Sequence, residues 1–165
     1  MIFTQKVADA TPIGKMGAAE QFNLLEYPEE LWEAPRARAL LVDDNPMNMD
    51  VLTGMLRNTK LQMDTAVNGV EALEKMRHNQ YHIILMDHMM PDPDGIETLH
   101  LLRRESDNPN RDTKVIVLTA NAIAGSEEYY KKEGFADYLS KPLVANDLEA
   151  MLWKHLPEEK TGIRI

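Results

Sequence analysis

The chain has 165 residues, enough for one domain with a sizeable core but too few for two ordinary domains. Its net charge of −9 gives no electrostatic reason to bind nucleic acid, and the lack of cysteine excludes disulfides, thiolate metal sites and thiol nucleophiles. No apolar run approaches the roughly 18 residues of a membrane span, and the first residues lack the pattern of a signal peptide, so we expect a soluble, cytoplasmic chain.

The first part of the chain differs in composition from the rest. Residues 1–36 contain prolines and glycines that punctuate short stretches of mixed polarity, and we interpret them as an N-terminal arm or linker. Within this arm, residues 18–27 could form a short helix, which would be marginal in water without a packing partner. We therefore divide the chain into an arm (1–36), one domain (37–157) and a C-terminal tail (158–165).

From residue 37 onward, strand and helix signals alternate. Continuous apolar runs are typical of strands buried on both faces of a parallel sheet, and two weaker candidates bring the number of strands to five. The candidate strands are Ala39–Val42, Gln62–Val67, Ile83–Met86, Val115–Leu118 and Asp137–Ser140.

Helical segments fall between these strands. The first three begin with capping signals, at Asn45, Asn68 and Asp94. A fourth helix is predicted from about Ala122 to Glu133, and a fifth over residues 145–156. Because crossovers between parallel strands are right-handed, the pattern predicts a (βα)5 α/β fold, a doubly wound five-stranded parallel sheet with helices on both faces.

Polar side chains stand where the predicted strands end. Asp43 and Asp44 follow the first strand, Asp87 follows the third, Thr119 the fourth and Lys141 the fifth. The carboxyl ends of parallel strands meet at one edge of a sheet, so we expect these groups to converge. Carboxylates are the ligands that Mg²⁺ prefers, and an aspartate can act as a nucleophile toward phosphorus when cations neutralise the phosphoryl oxygens. The sequence predicts a Mg²⁺-dependent phosphorylation site at Asp87, with Lys141 and Thr119 contacting the phosphoryl group.

This order and spacing resemble the receiver domain of two-component response regulators, a flavodoxin-like fold, over residues 37 to about 157. The family's acidic pair, phosphoacceptor, switch hydroxyl and invariant lysine match the five positions just named. The resemblance further implies that the backbone carbonyl of Met89 is a metal ligand beside the three aspartates. It also implies that Tyr138 acts as a switch aromatic together with Thr119, and that the Lys141–Pro142 peptide bond is often cis.

The motifs at these strand ends look most like those of receivers at the C-terminus of hybrid histidine kinases. In addition, residues 3–14 are similar to the end of a kinase ATP-binding domain and the linker that follows it. The resemblance implies a phosphohistidine on a kinase as donor and a histidine-phosphotransfer protein as acceptor. The chain itself would catalyse only its own phosphorylation and dephosphorylation, because it has no ATP-binding boxes. No direct nucleic-acid partner and no membrane segment are expected.

Two other functions stay open at this point. One is a Mg²⁺-dependent phosphohydrolase with an aspartyl intermediate, although such enzymes need an acid two residues after the nucleophile, where this chain has Met89. The other is an interaction module that binds its partner independently of phosphorylation. His88 adjoins the nucleophile and could touch the phosphoryl pocket, but we expect its ring to point into water.

Overall fold

The computed structural model describes residues 32–120 and 122–163. The short helix expected within residues 18–27 and the kinase-like segment 3–14 lie outside the described residues. None of the helices in the described part of the chain has the length and apolar character needed to span a bilayer.

Seven strands are present in the described residues. In chain order they are β1 (Trp32–Glu33), β2 (Arg38–Val42), β3 (Gln62–Ala66), β4 (Ile83–Asp87), β5 (Val115–Thr119), β6 (Asp137–Ser140) and β7 (Gly162–Ile163). Strands β2 to β6 form one parallel sheet in the order β3-β2-β4-β5-β6, and β1 and β7 form a separate antiparallel pair. The predicted five-stranded parallel sheet is confirmed.

Five α-helices connect these strands: α1 (Pro46–Met55), α2 (Gly69–His78), α3 (Gly95–Arg104), α4 (Ser126–Glu133) and α5 (Ala145–His155). The first three begin at the predicted caps. The side-chain oxygens of Asn45, Asn68 and Asp94 each accept a backbone N–H of the first turn, at 2.9, 2.7 and 2.9 Å. These bonds satisfy amide groups that have no partner within the helix.

The start of α4 differs from the prediction. The helix begins at Ser126 rather than near Ala122, because Gly125 has a φ of 90°, a left-handed conformation that interrupts a right-handed helix. Before it, the chain forms a turn in which the Ser126 hydroxyl accepts from the Ile123 N–H at 2.8 Å. The helix ends at Glu133, and the residue that follows, Gly134, is also left-handed.

Two apolar layers cover the sheet. Successive strand residues point to opposite faces, so Leu41 and Leu85 pack on one side, against α1 and α5. Leu40 and Ile84 pack on the other side, against α2, α3 and α4. The sheet is therefore doubly wound, as predicted, and its carboxyl edge lies open between the two helical layers.

The two ends of the described chain meet at the opposite edge. Trp32 pairs with Ile163 in the antiparallel β1–β7 ribbon, is only 3% exposed, and packs edge-on against Trp153 with ring centroids 5.5 Å apart. Residues 34–37 continue along the amino-terminal ends of the sheet, where the Ala37 carbonyl accepts the Gln62 N–H at 3.0 Å. Residues 32–37 thus contribute to the core on the side away from the polar strand ends.

A buried carboxylate joins β6 to α5. Asp137 is 7% exposed and lies 3.0 Å from His155 Nε2 and 3.3 Å from Lys154 Nζ. Burial alone would favour the neutral acid, but hydrogen bonds from His155, the Tyr138 N–H and Lys154 outweigh it and hold the pKa of Asp137 below its ordinary value.

Candidate functional site

The polar groups expected at the strand ends come together in the structure. One carboxylate oxygen from each of Asp43, Asp44 and Asp87 lies within 4.8 Å of the others. Lys141 reaches the cluster from the end of β6, with its Nζ 3.2 Å from Asp87 Oδ1 and 3.5 Å from Asp43 Oδ2. Thr119 ends β5, next to the strand that ends at Asp87, and is buried. The sheet therefore brings together three carboxylates and one ammonium group from strand ends that are far apart in the sequence.

The cluster is partly removed from water. Asp43 is 2% exposed and Asp87 is 5% exposed, whereas Asp44 lies at the surface. Burial raises the pKa of Asp87, and the nearby Asp43 adds to the rise, while the Lys141 ammonium and the Met89 N–H oppose it. Burial is the largest of these effects, and the Lys141 ammonium only partly offsets it.

Asp43 is oriented by the start of α1. Its Oδ1 accepts the Asn45 N–H at 2.9 Å, and its own N–H donates to the Ala66 carbonyl at 3.0 Å. Asn45 in turn caps α1, so the acid is held at the amino end of a helix, where the helix dipole favours negative charge.

A close approach at Gly95 fixes the other side of the site. The amide of Gly95 donates to the His88 carbonyl at 2.9 Å, which draws the start of α3 against the end of β4. A Cβ atom at this position would lie 2.4 Å from the Asp87 carbonyl oxygen and 3.0 Å from His88 Cα, so only glycine fits. Sequence reasoning missed this role, because only Asp94 was given a role there, as the cap of the helix.

The backbone around the site carries two cis peptide bonds, Asp92–Pro93 and Lys141–Pro142. The second is the one that the resemblance implied. The Lys141 N–H donates to the Thr119 carbonyl at 2.8 Å, which extends the pairing of β5 and β6 to the lysine. Met89 is 62% exposed, and its backbone N–H acts to lower the pKa of the Asp87 carboxyl group.

The expectation that the His88 ring points into water is wrong. Its side chain is only 19% exposed, and Nδ1 lies 2.8 Å from the hydroxyl of Tyr130 on α4. Tyr130 stacks on Tyr138, the aromatic expected at the switch position, with centroids 6.3 Å apart and planes at 27°. Tyr130 had no signal in the sequence, because it is separated from His88 by 42 residues and lies on a mostly polar helix.

An apolar groove adjoins the acidic cluster. It has a volume of about 470 Å³ and runs between α1 and the segment after β6. Its apolar walls include Val51, Met55 and Leu143, and it reaches Asp43 and Lys141 at one end. Val51 is 57% exposed, so this wall is open to solvent.

Comparison with known proteins agrees with this geometry. A family model described as the response regulator receiver domain matches residues 39–153. The signal transduction histidine-protein kinase BarA of Escherichia coli (strain K12) is 33% identical over 129 residues, which span 76% of this chain and 14% of that protein. This chain thus spans about a seventh of the length of the curated relatives that it first matches.

Two solved structures are informative. The receiver domain of sensor histidine kinase PA1611 from Pseudomonas aeruginosa PAO1, with a magnesium ion coordinated in the active site cleft, is 33% identical with a TM-score of 0.64; the match covers 72% of this chain and 96% of that one. The co-crystal structure of the Saccharomyces cerevisiae histidine phosphotransfer signaling protein Ypd1 and the receiver domain of its downstream response regulator Ssk1 contains a chain that is 28% identical. Its TM-score is 0.62, and the match covers 75% of this chain and 94% of that one.

Proposed function

The chain belongs to the response regulator receiver domain family of two-component and phosphorelay signalling, and from this premise we propose that Asp87 is its phosphoacceptor. The observation that carries the proposal is the convergence of three carboxylates with the Lys141 ammonium, which bridges Asp87 and Asp43 at 3.2 and 3.5 Å. Family membership favours this function over the phosphohydrolase and the phosphorylation-independent interaction module.

The donor set fits a Mg²⁺ ion. Three carboxylates offer hard oxygen atoms within 4.8 Å of one another, and Lys141 supplies one positive charge against three negative ones. We propose that Asp43, Asp44, Asp87 and the Met89 carbonyl hold the ion. When bound, Mg²⁺ would neutralise charge on the oxygens of the transferring phosphoryl group.

The chain's own groups account for the remaining chemistry. A carboxylate oxygen of Asp87 attacks the phosphorus atom of a phosphohistidine, so that a P–O bond forms as the P–N bond breaks. The electron pair of the P–N bond stays on the imidazole nitrogen of the donor, which takes up a proton. The Lys141 ammonium, already beside Asp87 Oδ1, pairs with the phosphoryl oxygens, and the Thr119 hydroxyl donates to one of them.

The product is an acyl phosphate with more charge and more acceptor atoms than the carboxylate it replaces. Such a group reorders its surroundings by recruiting donors. We propose that Thr119 is recruited and that Tyr138, half-buried on β6, responds as the switch aromatic. The domain would thereby catalyse only its own phosphorylation and dephosphorylation and convert them into a change of surface.

The partners follow from the same chemistry. A donor or acceptor histidine must reach Asp87 at the carboxyl edge of the sheet, and the groove beside α1 opens onto that edge. We propose that a phosphohistidine-bearing kinase and a histidine-phosphotransfer protein bind there. The complex of Ypd1 with the receiver domain of Ssk1 is an example of such a partnership. We further propose a cytoplasmic hybrid histidine kinase as the parent protein, by likeness to BarA.

The test is phosphorylation by acetyl phosphate with Mg²⁺, followed by intact-mass measurement. We expect the wild type to gain one phosphoryl group, and the gain to disappear in Asp87→Asn and after chelation of the metal. Asp107→Asn, a change at an exposed acid outside the cluster, should behave as wild type. A wild type that gains no phosphoryl group, or an Asp87→Asn variant that still does, would refute the proposal.

The two alternatives have separate readouts. Multiple-turnover release of phosphate from ordinary phosphomonoesters would indicate a phosphohydrolase. A partner affinity that is the same with and without beryllofluoride, a phosphoryl mimic, would indicate a module that binds independently of phosphorylation.

A further inference from the structure

Aromatic side chains form a continuous contact between the end of β4 and the outer strand β6. The His88 ring meets the Tyr130 ring edge-on, with centroids 5.5 Å apart and planes at 89°. Tyr130 then stacks on Tyr138 at 6.3 Å and meets Phe135 edge-on at 5.8 Å. The chain of contacts starts at the residue next to Asp87 and crosses α4.

His88 is fixed to the phosphoacceptor strand through its backbone. Its N–H donates to the Leu118 carbonyl at 3.0 Å, and its own carbonyl accepts the Gly95 N–H at 2.9 Å. The peptide that links it to Asp87 is planar and stiff. A displacement of the end of β4 therefore carries the His88 ring with it.

Both ring nitrogens of His88 face polar groups. Nδ1 lies 2.8 Å from the Tyr130 hydroxyl, within hydrogen-bond distance, and Nε2 lies 3.9 Å from the Asp94 carboxylate. A phenol hydroxyl can both donate and accept, so it can pair with Nδ1 in either tautomer of the ring. Tyr130 is only 4% exposed, so a hydroxyl that lost this partner would find little water to replace it.

We propose that His88 is a positioning residue, which couples the phosphoacceptor strand to α4 and to Tyr138 through its hydrogen bond with Tyr130. The inference rests on the proposed function of Asp87 and adds a route by which phosphorylation alters the surface of α4 and β6. A neighbouring side chain offers a matched comparison: Tyr129 lies on the same helix, is 48% exposed, and makes ring contact with Tyr130 at 5.1 Å.

The experiment measures amide hydrogen exchange of residues 126–133 with and without saturating beryllofluoride and Mg²⁺. We expect a clear difference in the wild type and in Tyr129→Phe. In Tyr130→Phe, which keeps the ring and removes the hydroxyl, the difference should fall below half of the wild-type value. Saturation of the site with beryllofluoride is checked in each variant, so that weaker binding of beryllofluoride is not mistaken for lost coupling.

Variants of His88 complete the test. His88→Leu should reduce the difference as much as Tyr130→Phe does, and the double variant should reduce it no further, because both remove the same bond. His88→Asn places an amide group near the position of Nδ1 and should restore most of the difference.

Three outcomes would overturn the proposal: a full difference in Tyr130→Phe, additive losses in the double variant, or a wild type that binds beryllofluoride without any change in residues 126–133. Failure of the wild type to bind beryllofluoride at all would instead overturn the proposed phosphoacceptor site, on which this coupling depends.

Discussion

Replacement of Trp32 by alanine should strongly destabilise the domain. The indole is 3% exposed and packs against Trp153 at 5.5 Å, so the substitution removes one of the larger buried side chains. A buried tryptophan covers about 200 Å², which at about 25 cal/mol per Å² corresponds to an upper value of about 5 kcal/mol. Because the neighbouring chain can relax partly into the space, we expect a loss of about 3 to 4 kcal/mol in the free energy of unfolding.

The assay is equilibrium unfolding in urea, monitored by the fluorescence of Trp153 and by far-UV circular dichroism. The expected result is a lower midpoint with an unchanged slope, since the same core unfolds. Ile123→Ala serves as the control, because Ile123 is apolar but 75% exposed, and it should change the free energy of unfolding by less than about 0.5 kcal/mol.

A pair of truncated forms also tests whether residues 32–37 belong to the core, and it does so without the cavity that Trp32→Ala creates. One form begins at residue 32 and the other at residue 38, so that they differ by β1 and the segment that follows it. We expect the shorter form to be less stable by at least the loss seen in Trp32→Ala. Equal stability of the two forms, or a Trp32→Ala variant within about 1 kcal/mol of the wild type, would show that the core does not include residues 32–37 and would refute the argument.

Three further predictions concern the site and its surroundings. Gly95→Ala should lower the free energy of unfolding in urea by about 1 to 3 kcal/mol, because its Cβ would lie 2.4 Å from a backbone oxygen. Gly54→Ala, whose Cβ would have nothing within 4 Å, should be neutral or stabilising, and equal effects of the two substitutions would contradict this. Lys141→Met should slow phosphorylation by acetyl phosphate on the order of a hundredfold in a mass-spectrometric time course, yet tighten Mg²⁺ binding, because a competing cation is removed from Asp87; an unchanged rate would argue against its role. The depressed pKa of Asp137 adds stability above its unfolded pKa of about 3.9, so the advantage of wild type over Asp137→Asn should be full near pH 5 and shrink as the pH falls further; a constant advantage would refute it.

The sequence predicted those parts of the fold that repeat a local pattern. Continuous apolar runs such as Ile83–Met86 mark strands buried on both faces, and a polar cap followed by an apolar helical face marks each of the first three helices. The convergence of the polar groups could be predicted as well, because parallel strands bring their carboxyl ends together whatever the distance along the chain. Asp43, Asp87 and Lys141 therefore converged as expected.

The remainder depends on contacts that no local pattern reveals. The pairing of Trp32 with Ile163 joins two strands of two residues each, too short to have a periodicity. The contact of His88 with Tyr130 and the close approach at Gly95 depend on how separate segments pack in three dimensions, and the late start of α4 at Ser126 depends on the left-handed conformation of Gly125. The residues themselves can be read from the sequence, but their contacts and backbone conformations cannot.

The antiparallel β1–β7 ribbon gives the domain a simple connectivity. Residues 32 and 163 are register partners, so the first and last described residues lie side by side, and residues 34–37 lead from there to the amino-terminal ends of β2 and β3. A short linker could join them, and new termini could be opened in the exposed turn at Ser106–Asp107, to give a circular permutant with the same packing. In a longer polypeptide, the segments before and after the domain would attach at neighbouring points, because residues 32 and 163 pair with each other.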